Sequence, residues 1–550
     1  MSVPTNFIFS VDPETARVAS KAFPKGNVYM KMRDELQLSY HDSDFIDLYS
    51  YTGQPAKSPA FLALVSVMQF AEGLSDKQAA QAVAARLDWK YALGLKLTDV
   101  GFDRSVLSEF RRRLIDGNRE RHLFDHILAQ LQQKGLLKAG GSAKQRTDST
   151  HVLAAIRKLN RTECVGETMR KVLNDLSNMA DGWLLEKVTP DWFDLYGPRF
   201  DSYRLPQSKN ELSELQLRIG RDGHHLLSAI YNDDAPSYLA QIPSVEILRQ
   251  VWIQQYYHDN EVLKWRTRKQ LPANKQLIES PYDVEARNRT KRKTNWTGYV
   301  VHLSETCDQD MPLIITDVET TPATTTDGEI TSVIHDRLAS NDCLPNVHFV
   351  DSGYTNAQNL AEAAQIGVDL CGPVAGDPSW QARAASGFDL AHFDIDWSAE
   401  RAICPNGTFS RSWCEGIDNT AKPVVRIHFS AAECLCCLDR EKCTSAKTAP
   451  RILTVRPEEE HKALQAARQR QKTDEFKDAY KIRAGSESVI ALGVRAFGLR
   501  RSRYVGLAKT GLQHILTATA MNLTRTVAWL SGSTRKKTYQ SSFARLRQAA

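Results

Sequence analysis

The chain has 550 residues, 42% hydrophobic and 25% charged, with a formal net charge of +6 at pH 7. That composition excludes an intrinsically disordered chain, and the length suffices for large cores in several domains. The longest apolar run, residues 60–71, is broken by Ser66 and Gln69 and is too short to span a bilayer. The first residues lack a charged stretch leading into an apolar core, so a soluble, cytoplasmic protein without membrane attachment is expected. Lys and Arg gather locally, at Arg111, Arg112 and Arg113, in 287–293, in 500–503 and in 535–537. Such patches bear on polyanion binding more than net charge does. Six of the 10 cysteines fall between Cys404 and Cys443, a clustering that favours metal over disulfides.

Residues 1–57 are turn-rich with little periodicity and read as an irregular segment. Ser58-Pro59 supplies an N-cap and first turn for a helix to 71, Ser75 caps a second over 76–86, and Ser105 caps a third over 106–115. The third carries the Arg triplet. Short helices ending in a basic one predict a helix-turn-helix-like DNA-binding module over 58–138, with Arg111, Arg112 and Arg113 on the DNA. A further helix, 121–134, and the Gly140-Gly141 turn lead to a first catalytic strand in segment 139–154, with Asp148 near its end. Spaced apolar positions over 169–179, 209–219 and 245–257 make 155–290 a helical insert.

The period then changes. Segments 296–305 and 313–318 read as strands, 329–339 as a helix, 346–350 as a buried strand ending at Asp351, 357–365 as a helix and 368–374 as a strand. Functional groups in α/β sheets stand at such strand ends. Strand, long insert, two strands, helix, strand-Asp, helix, strand fits an α/β, RNase H-like mixed sheet with its core over 291–378. A Cys-rich insertion over 379–450 interrupts it. Residues 451–532 then supply a helix over 480–495 and a basic, then apolar, final helix, and 533–550 form a basic tail.

Two constellations carry chemistry. Asp148, Asp351 and Glu487 are hard oxygen ligands, and three acids converging from two strands and a helix suffice for two Mg2+ (or Mn2+) ions. Such ions, about 4 Å apart, activate a nucleophile and stabilise a leaving oxygen in phosphodiester displacement. On a continuous helix Tyr480, Arg483 and Glu487 share an arc of roughly 60°, and Gly485 would let a DNA backbone approach. The second constellation is Cys404, Cys434, Cys437 and Cys443. Cys434-x2-Cys437 has the spacing of two thiolates on one tetrahedral Zn2+, and four cysteines leave no open position, so the metal is structural. Cys414, Cys436 and His428 are alternative ligands. No Walker-type phosphate loop is present, so no nucleotide cofactor is expected.

Thr147-Asp148-Ser-Thr, Asp351-Ser-Gly-Tyr354 and Tyr480-x2-Arg483-x3-Glu487, in this order, resemble the three signature regions of DDE transposases of bacterial insertion sequences, in the group with a Tyr-Arg-Glu-Lys signature. The resemblance runs from about residue 40 to 530. It implies an RNase H-like catalytic domain, catalytic and metal-ligating roles for Asp148, Asp351 and Glu487, and double-stranded DNA, both transposon ends and target, as partner. Pairing two ends implies a homodimer in the DNA complex. The implied reaction is hydrolysis at a transposon end followed by attack of the 3′-OH on target DNA. Tyr480, Arg483, Arg500, Arg501 and Arg503 would contact DNA. The signature lysine is replaced by Val494, leaving Arg495 or Lys509 to take its part. Trp397 and Trp413 could stack a flipped base. A relative that binds terminal repeats as a repressor, without catalysis, is the alternative; a stand-alone nuclease is another.

Overall fold

Six strands form one mixed sheet in the computed structural model: β1 (Lys144–Leu153), β2 (Arg287–Lys291), β3 (Thr294–Thr306), β4 (Ile315–Pro322), β5 (Val347–Phe349) and β6 (Asp369–Cys371). The structure describes residues 2, 10–140, 143–308, 310–384 and 386–532. The basic tail, its 535–537 run and Gly141 of the expected turn lie outside the described residues. The strands are ordered β6-β5-β1-β3, and β2 and β4 follow each other along the outer edge of β3. β1, β5 and β6 run parallel, whereas β3 is antiparallel to β1, β2 and β4. β3 is buried almost continuously from Gly298 to Thr306, as a strand covered on both faces must be.

Asp148 sits in the middle of β1 and not near its end. The parallel pairing with β5 stops at Arg146↔Phe349, while β1 continues along β3 to Leu153. The gap opened where β5 leaves is faced by Asp148 and by Asp351, two residues past the end of β5.

Residues 10–57, read as irregular, are substantially helical: Pro13–Ala22, Val28–Lys31 and a 3-10 segment Asp42–Leu48. Asp12 caps the first by accepting from the Thr15 N–H, and Asn27 caps the second. Helices α1 (Pro59–Glu72), α2 (Asp76–Ala85), α3 (Ser105–Asp116) and α4 (His122–Gln133) follow. α1 starts on the Ser58 cap with Pro59 in its first turn and ends at Gly73, whose φ of 68° is left-handed. It is buried from Pro59 to Phe70, because α6 (Leu507–Leu530) lies between it and β4. Asn522 of α6 accepts from the Ile315 N–H (2.7 Å) and donates to the Ile315 carbonyl (2.8 Å). That satisfies backbone groups at a break in the β3–β4 register. The N-terminal helices and the sheet share one apolar core, from Tyr29 through Leu137 to Val527.

The insert between β1 and β2 has its own core, centred on Val165, Met169, Ile219, Val251 and Trp252. Its main helices are Arg161–Met179, Lys209–Ile230 and Pro243–Gln255, followed by a short hairpin, Tyr256–Asp259 with Val262–Trp265. The Cys-rich segment is a small unit with a three-stranded sheet, residues 412–417, 423–428 and 452–455, around Ile427, Phe429 and Leu453. No helix among the described residues is long and apolar enough to cross a membrane.

A buried charge cluster ties the late segments to the sheet. Arg146 of β1 lies directly opposite Glu305 of β3. Glu305, fully buried, accepts from Arg146 Nε (2.8 Å) and from Arg525 of α6 (2.6 Å). Glu305→Gln keeps the shape but leaves two guanidinium groups without a counter-charge. A loss of about 3–5 kcal/mol is expected in chemical denaturation, the cost of removing one member of a buried pair; an unchanged midpoint would show that the pair does not hold the fold.

Candidate active site

Three side chains on one face of β1 reach the C-terminal part of the chain, since alternate residues of a strand share a face. Arg146 donates to the Ile482 carbonyl (2.8 Å), Asp148 lies 2.9 Å from Arg483 Nη2, and Thr150 accepts from Arg500 Nε (2.8 Å). The continuous helix expected over 480–495 is broken by these bonds. The chain runs as a helix Asp474–Tyr480, a 3-10 turn Lys481–Gly485, then α5 (Ser486–Ala496). A Cβ on Gly485 would overlap the Arg146 guanidinium, so this glycine makes room for Arg146, not for a DNA backbone as expected from the sequence.

The break changes what the three signature residues do. Tyr480 donates to the Val350 carbonyl (3.0 Å), next to Asp351, and stacks on Phe476 at 5.5 Å. Arg483 points into the gap between the strands. Its guanidinium lies 2.9 Å from Asp148, 4.0 Å from Asp351 and 3.9 Å from Glu487. Asp148 also accepts from the Ser149 N–H (2.8 Å), and Asp351 accepts from the Gly353 N–H (2.7 Å). Burial pushes the Asp148 carboxyl above the usual aspartate range, opposed by the Arg483 charge. The Glu487 side chain is 76% exposed.

The three acids line an open groove of about 420 Å³ with Ser149, Thr150, His151, Thr294, Trp296, Arg289, Lys291, Arg292, Asp327 and Arg500. Asp327, in the turn after β4, was not singled out in the sequence. It is buried, accepts from Ser149 Oγ (2.9 Å) and Lys291 Nζ (3.3 Å), and stands 3.9 Å from His302 Nδ1. A Cβ on Gly353 would lie 2.7 Å from Asp327 and 2.9 Å from Asp351, so the glycine of the Asp351-Ser-Gly-Tyr354 motif lets these carboxylates approach. An acid in the turn after a strand was the available signal for Asp327, the same one that pointed to Asp351. The 287–293 patch recognised in the sequence is the β2 wall of this groove.

The other expected DNA contacts are dispersed. Arg111 is buried on Asp76 (2.5 Å) and Tyr504, which corrects the expectation of an outward-facing triplet. Arg112 pairs with Glu109 and Asp116 (both 2.8 Å), and Arg113 donates to the Leu48 carbonyl (3.0 Å) over the Tyr49 ring. Arg503 donates to the Leu74 carbonyl (3.0 Å) at the end of α1. Arg501 is exposed beside Leu153, and Arg495 and Lys509 are exposed outside the groove lining. Trp397 and Trp413 pack edge to face, 5.2 Å apart, beside the small Cys-rich core.

Cys404, Cys434, Cys437 and Cys443 line one pocket of that unit, and all are free thiols. Asn406 donates to Cys437 Sγ (3.1 Å), and burial pushes the Cys443 thiol up to about 11. The three metal-ligating atoms that lie within 4.8 Å of one another, among the described residues, belong instead to Asp44, His122 and His126.

Fold and groove together define a mixed α/β protein with convergent carboxylates and cationic flanks. Two family models match it: a transposase DDE domain over residues 403–527, and a transposase domain (DUF772) over residues 17–113. Both support a DDE transposase of insertion sequences as the family this chain resembles. The first match takes in Cys404, Cys434, Cys437 and Cys443 and the Glu487 helix. The comparisons with curated proteins and with solved structures give no match.

Gly485→Ala is expected to push the Arg146 guanidinium off Ile482 and Glu305. A destabilisation of about 2–4 kcal/mol should appear in urea melts, whereas Gly511→Ala, with open space around its Cβ, should be tolerated.

Proposed function

We propose that the chain is a transposase that binds the terminal inverted repeats of an insertion sequence and cuts and joins DNA by a DDE mechanism. Asp148, Asp351 and Glu487 are its catalytic acids, brought together by an RNase H-like sheet and the helix α5 beside it. The observation behind the reading is the convergence of these three acids on one guanidinium, in a groove walled by Arg289, Lys291, Arg292 and Arg500. The two transposase-family matches add to it.

The donor set fits divalent metal. All the carboxylates offer hard oxygen, and Arg483 lies within 4.0 Å of three of them, so a single cation already bridges the set. Mg2+ or Mn2+ held by Asp148, Asp351 and Glu487 supplies Lewis-acid stabilisation and an activated nucleophile. Arg483 offsets the charge of the acids and is placed to contact a DNA phosphate, for which a guanidinium is suited. Arg500 and Lys291 hold the duplex backbone along the groove. Asp327 fixes Ser149 and Lys291 in position. Joining two transposon ends calls for two copies of the chain on the DNA.

The Cys404, Cys434, Cys437 and Cys443 quartet takes a structural Zn2+. Four thiols on one pocket, in a unit whose own core is small, make a closed site of the kind that stabilises a metal-dependent subdomain.

With Mg2+ and a labelled duplex of the terminal repeat, the protein is expected to nick and join. Asp148→Ala, Asp351→Ala and Glu487→Ala should each reduce cleavage by about 100-fold or more with duplex binding kept. Binding by the native protein without any cutting would sink the reading in favour of a repressor, and cutting without joining in favour of a nuclease.

The acid limb of the pH profile should report Asp148. Burial raises its carboxyl, so cleavage is lost on the acid side at a pH above the ordinary aspartate value. Arg483→Gln removes the charge that opposes the rise and should move that limb further up. A limb unmoved in Arg483→Gln would count against Asp148 as the titrating ligand.

Cys434→Ser with Cys437→Ser should lower bound zinc by one equivalent per chain in elemental analysis. Equal zinc in that variant and the native protein would refute the thiolate site.

A further inference from the structure

We propose that Asp44, His122 and His126 form a binding site for a divalent transition-metal ion, zinc foremost, that fastens the 39–48 segment to α4. The site lies in the N-terminal helical part, apart from both the carboxylate groove and the cysteine pocket.

Three observations carry it. His122 and His126 are one helical turn apart at the start of α4, so both rings project from the same face. Asp44 comes from the opposing 3-10 segment, and one ligand atom of each residue lies within 4.8 Å of the others. Second, His122 Nε2 is buried without a hydrogen-bond partner. It stands 3.8 Å from Asp44 Oδ2, beyond hydrogen-bond reach. Two ligands each about 2.1 Å from a tetrahedral ion stand roughly 3.4 Å apart, so this gap suits an ion shared between them. Third, His126 Nε2 is 3.0 Å from the Ser39 carbonyl, to which only an N–H can donate. That bond fixes the tautomer and leaves Nδ1 with its lone pair, the outer-shell arrangement found on metal-bound histidines.

The rings are held in place before any ion arrives. Phe45, fully buried, packs edge-on against His122 at 5.3 Å, and Tyr40 stacks on His126 at 5.4 Å while its hydroxyl bonds the Leu123 carbonyl. Asp44 Oδ2 also accepts from the His41 N–H (2.9 Å). Two imidazoles and a carboxylate leave a position for water and suit zinc, cobalt or nickel over Mg2+. Because the ligands come from two chain segments, the ion would cross-link the first helical segment to the core that it shares with the sheet.

The test is a titration of chelator-stripped full-length protein with Co2+, then Zn2+, in excess Mg2+ to mask the carboxylate groove. Beyond any ion at the cysteine pocket, the native protein should bind one further Co2+ that adds visible bands without adding sulfur-to-metal absorption, and Zn2+ should displace it. His122→Ala, His126→Ala and Asp44→Asn should each bind one equivalent fewer, with the cysteine-bound ion retained. His122→Gln, which keeps much of the volume, guards against an unfolded alanine variant; far-UV circular dichroism of the stripped forms checks this. Zn2+ should also slow proteolysis within 10–58 in the native protein and not in these variants. The same number of equivalents in native and variant proteins would overturn the proposal, as would cobalt spectra showing thiolate ligation alone.

Discussion

The buried charge cluster Arg146–Glu305–Arg525 is the constraint on which the groove depends. Arg146 leaves β1 two residues before Asp148 and donates both to Glu305 and to the Ile482 carbonyl. One side chain therefore sets the register between the strand carrying the first acid and the turn carrying Arg483. Arg525 closes the cluster from α6, so the last long helix is locked to the same point. Burying three charges is costly unless each is paired. Here the carboxylate is shared by two guanidinium groups, and Arg146 gains a backbone carbonyl as well. Gly485 belongs to this arrangement, because any side chain there would occupy the space of the guanidinium.

That anchoring places opposite charges side by side without cancelling them. Burial pushes the Asp148 carboxyl above the usual aspartate range, and the Arg483 charge beside it opposes that rise. Asp327 plays a fixed part, bonded to Ser149 and Lys291 and set close to Asp351 by Gly353. The cations of β2 and Arg500 line the same groove as the acids.

Much of the sheet was legible because its strands are short apolar runs with clear punctuation. The two strands before the first crossover helix, the helix Ala357–Gln365 and the strand before Asp351 all stand close to where periodicity puts them. The break at 481–485 was not legible. Nothing local forbids a helix there, and the competing partner for the Ile482 carbonyl comes from β1. The Arg triplet misled for a related reason: a basic helix face looks the same whether it meets DNA or Asp76, Glu109 and the Leu48 carbonyl. The helix Pro13–Ala22 was legible and overlooked, since Asp12-Pro13 carries the same cap-and-proline signal as Ser58-Pro59. His122 and His126 were visible as an i, i+4 pair, but their partner Asp44 lies across a tertiary contact that no sequence spacing announces.

The late position of Glu487 follows from the same geometry. β6 ends at Cys371 on one edge of the sheet, while Glu487 lines the groove beside β1 together with Asp148 and Asp351. A long segment is therefore needed to return the chain, and here it folds as the Cys-rich unit before entering the helix Glu458–Arg470. Arg468 and Arg470 of that helix donate to the Ala375, Gly376 and Leu370 carbonyls, which fixes the return path against the end of β6. The insertion thus leaves and rejoins the sheet at nearly the same place. Its internal structure can be elaborated without moving Glu487, whose position is set by Arg146, Gly485 and Ser486, whose hydroxyl donates to Asp148 (3.3 Å), and not by the length of the excursion.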